Sequence, residues 1–282
     1  KSTLFNAITK AGAECANYPF CTIEPNVGVV PVPDERLDEL AKIYNPQKIT
    51  HAIIEFVDIA GLVKGASKGE GLGNKFLSHI REVDAIVEVV RCFDDSNITH
   101  VEGGANPLRD TEIIDVEFIF CDLEVVDTRL GKIEKKAVST KDKDALKEVE
   151  LLKRIKEALE NNIPARKLEY TEDDLKILKA FNLLTMKPII YVANIKEDEI
   201  GKENSYVKDL KDHANKDNAE VIVLCAKIEE ELSGLEDEEK KAFLNDLGIE
   251  SNKSLTMPSI IHNIPKEFRK AFLRGYFDGD GS

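Results

Sequence analysis

Four short apolar runs are spread along the chain, and the segments between them carry apolar residues at helical spacing. Each run is rich in Ile and Val and ends at a polar or small residue. Such runs predict buried, parallel strands with helices packed on both faces of the sheet. The pattern therefore predicts an α/β fold with strands at 52–58, 85–91, 188–194 and 219–225.

The carboxyl ends of three of these runs carry candidate binding residues. Asp58 ends the first run, Asn194 ends the third, and Cys225-Ala226 stands at the end of the fourth. Ligands of open α/β sheets bind outside the carboxyl ends of the strands. We therefore expect these residues to lie at one edge of the sheet and to form a binding site.

The middle of the chain has a different period. Apolar residues there recur at alternating steps of four and three, which is the heptad pattern of a coiled coil. A second periodic stretch follows the charged segment 139–143. We interpret residues 117–168 as an antiparallel coiled-coil hairpin, and a pair of ordinary core helices is the alternative. The two seams consist of Ile119, Leu123, Val126, Leu130, Ile133 and Ala137, and of Val149, Leu152, Ile155 and Leu159.

Composition and charge exclude several classes of protein. The 282 residues are 42% hydrophobic and 33% charged, which excludes a disordered chain. No apolar run approaches the roughly 20 residues that span a bilayer, so we expect no membrane insertion. The net charge of −14 is concentrated in 1–116 and 169–250, which argues against nonspecific coating of nucleic acid. Five cysteines without a CxxC pair indicate a reducing, cytoplasmic compartment.

Two short motifs predict phosphate and magnesium binding. Lys1-Ser2-Thr3 resembles the end of a GxxxxGK[ST] loop, in which the lysine reaches the phosphates and the hydroxyl ligates Mg²⁺. In the DxxG motif, Asp58 can hold Mg²⁺ through water, and Gly61 lets a backbone N–H approach the γ-phosphate. Each motif alone is a weak signal, because KST is common and DxxG also occurs in ordinary turns.

Three longer stretches carry a resemblance to a known family. The stretches 17–28, 58–66 and 71–77 are similar to motifs of the Obg superfamily of P-loop proteins, and within it to the YchF branch, the Obg-like ATPases. The resemblance runs from residue 1 to about 249. It implies a Ras-like nucleotide-binding domain, made of 1–116 and 169–246, that the coiled-coil hairpin interrupts.

The resemblance also implies roles for single residues. Thr22 matches the switch threonine that meets Mg²⁺ and the γ-phosphate, although an ordinary turn-rich loop is the alternative. Leu62 stands where Ras-type GTPases have the glutamine that orients water, and an aliphatic side chain cannot do so. His100 aligns with a loop histidine proposed for that role; an exposed loop histidine is the alternative. Lys1, Gly61 and His100 are thus the candidate catalytic residues.

Base recognition is expected in two loops. GTPases of this fold usually carry NKxD, whereas this chain has Asn194-Ile195-Lys196-Glu197. The longer glutamate should spoil the paired contact with guanine, and unpaired polar groups cost about 1–3 kcal/mol. In the family, this NxxE pattern goes with relaxed base specificity and a preference for ATP. Cys225-Ala226 resembles the loop that places a backbone N–H against the base, and a solvated acidic loop is the alternative for Glu197.

Together these residues predict a Mg²⁺-dependent nucleoside-triphosphatase that prefers ATP to GTP and acts as a slow nucleotide switch. By resemblance, the ribosome or a ribosomal subunit is the expected partner, contacted through the hairpin; no membrane or DNA partner is expected. A GTP-binding module, or one that binds nucleotide without hydrolysis, is the alternative. The predicted nucleotide ligands are Lys1, Ser2, Thr3, Thr22, Asn194, Ile195, Glu197, Cys225 and Ala226, and the predicted magnesium ligands are Ser2, Thr22 and Asp58.

The last segment of the chain departs from the family. Residues 252–282 resemble a fragment of a LAGLIDADG homing endonuclease of the kind that inteins carry, with Asp280 at the metal-binding position. An amphipathic helix that stops at glycines is the alternative. The segment is too short for a nuclease, so 247–282 is predicted to be a helical tail. Without the glycines of the phosphate loop and the strand before them, we expect weakened nucleotide binding and a sheet that lacks a central strand.

Overall fold

The computed structural model describes residues 1–9, 26–32, 34–59, 78–95 and 104–246. No helix in these ranges is both long and apolar enough to cross a membrane. The strands are β1 (Asn26–Pro31), β2 (Ile53–Asp58), β3 (Ile86–Arg91), β4 (Ile189–Asn194) and β5 (Glu220–Leu224). The helices are α1 (Ser2–Thr9), α2 (Glu35–Tyr44), α3 (Pro107–Thr140), α4 (Lys143–Glu160), α5 (Glu172–Leu178), α6 (Ser205–Lys216), α7 (Ala226–Ser233) and α8 (Asp237–Asp246), and a further helical turn covers 78–82.

The strands form two sheets within the described ranges. β3, β4 and β5 are parallel with β4 in the middle, whereas β2 pairs with β1 in an antiparallel manner. All four predicted strands are confirmed. We expected β2 to pair in parallel, however, and its pairing with β1 is antiparallel. The reason is β1, which the sequence pattern did not reveal. Gly28 interrupts its apolar run and Pro31 ends it, so this edge partner of β2 lacks a clear strand signal.

Helices cover both faces of β4, which explains its unbroken apolar sequence. Tyr191 lies on the face that α6 covers, where it packs with Leu210. Val192 lies on the opposite face, where it packs with Leu4 of α1 and Ala226 of α7. The prediction of a parallel sheet between two layers of helices is therefore confirmed for β4.

α3 and α4 pack side by side along an apolar seam. The members of the seam include Val126, Leu130 and Ala137 of α3 and Val149, Leu152 and Ile155 of α4. Three ion pairs connect the helices: Asp127 with Lys156 at 2.6 Å, Arg129 with Glu148 at 2.6 Å and Glu134 with Lys153 at 2.5 Å. Only Lys141 and Asp142 separate the end of α3 from the start of α4, and the two helices pack along one seam, so they run antiparallel.

Capping residues define where these two helices begin and end. Asn106 accepts a hydrogen bond from the backbone N–H of Arg109, which caps the start of α3. Lys141 ends α3 in the left-handed conformation, at a φ of 53°. Asp142 then caps α4 by accepting from the N–H of Asp144 at 3.1 Å. α3 begins at Pro107, inside the first predicted domain, and the division of the chain into domains stays a prediction.

A first polar junction fixes α3 to the rest of the chain through the buried carboxylate of Asp122. Arg81 of the helical turn 78–82 donates to Asp122 at 3.2 Å and to the carbonyl of Cys121 at 3.1 Å. Asp122 also accepts from the N–H of Leu184 at 3.0 Å, and from the N–H and hydroxyl of Thr185, both at 2.7 Å. We call this group the Asp122 junction.

A second polar junction lies nearer the start of α3. Arg166 approaches Asp115 of α3 at 3.6 Å and binds Asp217, just after α6, at 2.9 Å. Lys167 also binds Asp217. His213 of α6 lies 3.9 Å from Asp115. The charges of Asp115 and Arg166 also act on the buried side chains of Glu88 and Tyr191. We call all of these residues together the Asp115 junction.

Candidate nucleotide-binding site

The start of α1 lies against the end of β2. The hydroxyl of Ser2 donates to Oδ2 of Asp58 at 3.0 Å, and the ammonium group of Lys1 lies 3.1 Å from Oδ1. Lys1 also donates to the carbonyl of Ile59. Asp58 is only 8% exposed, whereas Lys1 is exposed. Two motifs that lie 56 residues apart in sequence therefore meet in one polar cluster.

The chemistry of this cluster suits an anion and a divalent cation. Backbone N–H groups at the start of a helix attract negative charge, and α1 begins at Ser2. Hydroxyl and carboxylate oxygens are the donors that Mg²⁺ prefers, and Mg²⁺ usually takes one or two carboxylates, several waters and substrate phosphates. Ser2 and Asp58 supply this donor set, and Lys1 supplies the positive charge that a phosphate needs.

A second cluster lies at the ends of β4 and β5. The side-chain oxygen of Asn194 accepts from the N–H of Ala226 at 2.9 Å, which ties the end of β4 to the start of α7. The N–H of Ile195 donates to the carbonyl of Leu224 at 2.9 Å. The structure thus places the predicted base-binding loops side by side at the carboxyl ends of neighbouring strands.

Glu197 belongs to the same cluster but already has a cationic partner. Its carboxylate lies 3.0 Å from the ammonium group of Lys227, and this hydrogen bond raises the pKa of Lys227. Burial raises the pKa of the neighbouring Cys225 thiol, so this side chain is uncharged at neutral pH. Cys92, Cys121 and Cys225 are free and buried. The described cysteines therefore form neither a disulfide nor a metal centre.

α1 connects the two clusters. Leu4, two residues after Ser2, packs against Leu224 and Ala226. The cluster around Asp58 and the cluster around Asn194 therefore lie beside the same pair of helices, α1 and α7. Thr3 is half-buried beside Ser2. Three predicted site residues, namely Thr22, Gly61 and His100, lie outside the described residues, as do Leu62 and the segment 247–282.

Sequence reasoning missed the Asp115 junction, whose composition is that of a metal site. Ligand atoms of Asp115, His213 and Asp217 all lie within 4.8 Å of one another. Arg166 and Lys167 bind these carboxylates, however, so two positive charges already balance two negative ones. A divalent cation would add an uncompensated charge in a buried place. His213 and Asp217 lie four residues apart at the end of α6, but Asp115 comes from α3, about 100 residues earlier, so the sequence does not show that the three meet.

The fold and the cluster around Asp58 define a P-loop nucleotide-binding protein. A family model described as "50S ribosome-binding GTPase" matches residues 1–119. The chain is 57% identical over 256 residues to the "Ribosome-binding ATPase YchF" of Bacillus subtilis (strain 168), and this match covers 89% of the chain and 69% of the relative. It is 50% identical over 277 residues to the protein of that name from Haemophilus ducreyi, covering 98% of this chain and 74% of the relative.

A solved structure agrees with these relatives. The Schizosaccharomyces pombe YchF GTPase superimposes with a TM-score of 0.76 at 36% sequence identity, covering 96% of this chain and 72% of that chain. The chain belongs to the YchF family. The predicted family and the predicted P-loop α/β fold are confirmed.

Proposed function

We propose that this chain is a Mg²⁺-dependent nucleoside-triphosphatase that prefers ATP to GTP, acts as a slow nucleotide switch in the cytoplasm, and associates with the ribosome. The contact between Ser2 and Asp58 is the observation that carries the proposal. The names of the relatives, which are ribosome-binding ATPases, support it at the level of the family.

Three residues would hold the metal ion. Asp58 and Ser2 supply oxygen donors from two sides of the cluster, and the sequence resemblance adds Thr22. When bound, Mg²⁺ neutralises charge on the phosphate groups that react. In the structure, Lys1 forms an ion pair with the carboxylate of Asp58, and its side chain is exposed enough to reach a phosphate. Its role is to place positive charge beside the β- and γ-phosphates.

The preference for ATP rests on the surroundings of Glu197. Recognition of guanine requires a carboxylate that is free to accept two hydrogen bonds, but Lys227 occupies the carboxylate of Glu197. Guanine would have to displace this lysine, whereas adenine offers no such pair of donors. The N–H of Ala226 donates to Asn194, which holds the base loop against the start of α7.

Hydrolysis requires a group that orients water, and Leu62 cannot supply it. We propose His100 for this role and the N–H of Gly61 as a contact of the γ-phosphate. The alternative function is a module that binds nucleotide without hydrolysing it, which the aliphatic side chain of Leu62 favours. In that case the wild type binds ATP without turnover and His100→Ala changes nothing, whereas the proposed role predicts that His100→Ala lowers the rate of single-turnover hydrolysis about 10²-fold or more.

The metal site is tested by removing the charge of Asp58. Asp58→Asn is expected to abolish most of the gain in ATP affinity that Mg²⁺ provides, as measured by isothermal titration calorimetry with and without the metal. Glu55→Gln is the matched control, because Glu55 lies on the same strand and is exposed. An Asp58→Asn variant with an undiminished response to Mg²⁺ would contradict the proposal.

Base choice is tested by competition between ATP and GTP for a fluorescent nucleotide. The wild-type chain is expected to prefer ATP. Glu197→Asp shortens the side chain and is expected to shift the ratio toward GTP, because the shorter carboxylate loses its contact with Lys227. Asp198→Glu, at the exposed neighbouring position, should leave the ratio unchanged. A tenfold preference of the wild type for GTP would defeat the proposal.

A further inference from the structure

The end of the hairpin differs from its shank in how its charges are used. We call residues 132–147 the hairpin tip. On the shank, cations are bound: Arg129, Lys153, Lys156 and Arg154 each contact a carboxylate. All six lysines of the tip are exposed and make no ion pair with another described residue. The charge of Lys147 acts on Asp173 and lowers the pKa of that carboxyl group. The other five, which we call the five free lysines, are Lys132, Lys135, Lys136, Lys141 and Lys143.

The acidic residues near the tip do not cancel this charge. The tip contains six lysines and three acidic residues. Of the three, Glu134 already binds Lys153, and Asp142 is engaged in capping α4. Lys132, Lys135 and Lys136 are spaced so that they share one face of α3, away from the seam residues Ile133 and Ala137. The five free lysines therefore form a compact cationic surface.

The position of the tip protects this surface from the acidic body. The whole chain has a net charge of −14. α3 is continuous from Asp122, where the first junction fixes it, to Thr140 at its end. At 1.5 Å per residue this distance is about 27 Å. Salt screens exposed charges over about 8 Å at physiological ionic strength. A polyanion that approaches the tip is therefore attracted by the lysines there, because salt screens the negative charges of the distant body.

The residue types at the tip select phosphates over bases. No aromatic residue and no arginine occurs between Lys132 and Lys147. Reading of unpaired bases relies on stacking against aromatic rings or guanidinium planes. Lysine, by contrast, is a point charge that suits the phosphates of a nucleic-acid backbone. The surface thus fits a structured, double-helical strand whose phosphates are exposed, independently of sequence.

We propose that the hairpin tip binds the phosphate backbone of ribosomal RNA through Lys132, Lys135, Lys136, Lys141 and Lys143, an inference that rests on the proposed association with the ribosome. The rest of the body, with its excess of negative charge, then stays away from the RNA. A contact with a ribosomal protein is the competing outcome, and the experiment below distinguishes the two.

The test compares two five-lysine variants of the full chain that have the same net charge. The tip variant changes the five free lysines to glutamine. The control variant changes five exposed lysines elsewhere to glutamine, namely Lys176, Lys202, Lys208, Lys211 and Lys216. Circular dichroism verifies that both variants keep the helical content of the wild type. Binding to a fluorescein-labelled 20-base-pair RNA duplex and to purified ribosomes is measured as a function of KCl concentration.

The expected result is a change in the salt dependence. The slope of log K against log[KCl] should decrease by about one for each lysine that contacts a phosphate, hence by about three to five in the tip variant. At low salt, its affinity for the duplex and for ribosomes should fall at least about tenfold. The control variant should keep most of the wild-type slope, because the lysines it changes lie outside the proposed surface.

Two outcomes overturn the inference. A tip variant that binds ribosomes as tightly as the control shows that the tip is not the contact. A tip variant that loses ribosome binding with an unchanged slope on the RNA duplex shows that the tip contacts protein. Failure of the proposed function is distinct from both: wild type that ignores ribosomes but binds the duplex through the tip refutes ribosome association and leaves the cationic surface intact.

Discussion

The two junctions at the root of the hairpin contain buried carboxyl groups, but they satisfy them differently. At the Asp122 junction, one carboxylate receives hydrogen bonds from an arginine, two backbone N–H groups and a hydroxyl. At the Asp115 junction, Oε2 of Glu88, the hydroxyl of Tyr191 and Nε2 of His213 have no hydrogen-bond partner among the described residues. Two carboxyl groups can therefore both be buried and still differ in how many hydrogen bonds stabilise their charged form.

The electrostatic consequences follow from this difference. Burial raises the pKa of Asp122, but the hydrogen bonds from Thr185 and Leu184 and the charge of Arg81 oppose this shift. Burial raises the pKa of Glu88 well above its usual range, and the negative charge of Asp115 adds to the effect. Asp122 thus has a set of partners that stabilise its charge, whereas the surroundings of Glu88 favour its neutral form. The pKa of each carboxyl group is raised, but hydrogen bonds oppose the shift only at Asp122.

The largest expected effect comes from removing the centre of the Asp122 junction. Asp122→Ala leaves Arg81 and the N–H groups of Leu184 and Thr185 without their acceptor in a buried place. We expect a loss of about 3–5 kcal/mol in the free energy of unfolding, measured by urea denaturation. Asp122→Asn keeps an acceptor and is expected to cost less. Equal losses for the two variants would contradict the hydrogen-bonding account.

The second effect is a change in pH dependence at the Asp115 junction. A carboxyl group whose pKa is raised by folding holds its proton more tightly in the folded chain. The wild type should therefore lose stability as the pH rises from the ordinary pKa of glutamate, about 4.3, toward the raised value, by up to about 1.4 kcal/mol per pH unit. Glu88→Gln removes this dependence.

The measurement for Glu88 is the free energy of unfolding from urea titrations at several pH values between 5 and 8. Glu88→Gln should gain stability over the wild type as the pH rises. Glu55→Gln, which removes an exposed carboxyl group, serves as the control and should follow the wild-type curve. Parallel curves for wild type and Glu88→Gln would show that Glu88 is ionised in the folded chain.

The smallest effects come from removing one buried hydroxyl at each junction. Thr185→Val deletes a hydroxyl that donates to Asp122 at 2.7 Å, and should cost about 1–2 kcal/mol. Tyr191→Phe deletes a hydroxyl without a partner among the described residues, and should change stability by less than about 0.5 kcal/mol or increase it. Thermal and urea denaturation of the pair measure this difference directly. A larger loss for Tyr191→Phe would reverse the comparison.

Local patterns predicted the elements of the fold but not the contacts at the hairpin root. β4 could be found because burial on both faces leaves an unbroken apolar run, and the seam of α3 could be found because its period is regular. Glu88 and Asp122 could not be interpreted in this way, since their partners lie on other elements and only tertiary packing brings them together. β1 escaped because Gly28 and Pro31 obscure its alternation.

The candidate site was predicted to a similar extent. Ser2, Asp58 and Asn194 could be chosen because each stands at a strand or helix end that carries a known type of chemistry. The salt bridge between Glu197 and Lys227 was not foreseen, because the two residues lie 30 positions apart and neither belongs to a motif that includes the other. Charge pairing of this kind depends on the relative placement of loops, which the sequence pattern does not contain.

The uninterrupted course of α3 has a mechanical consequence. At its root, Phe118 and Cys121 belong to an apolar cluster against which Ile59, the residue that directly follows Asp58, also packs. A rigid rod that is held at one end and free at the other converts a small tilt into a large displacement. A rotation of about 5° at Asp122 would move the far end of the rod by roughly 2 Å, given a lever arm of about 27 Å. Slight rearrangements next to Asp58 can therefore be amplified at the distant end of the helix.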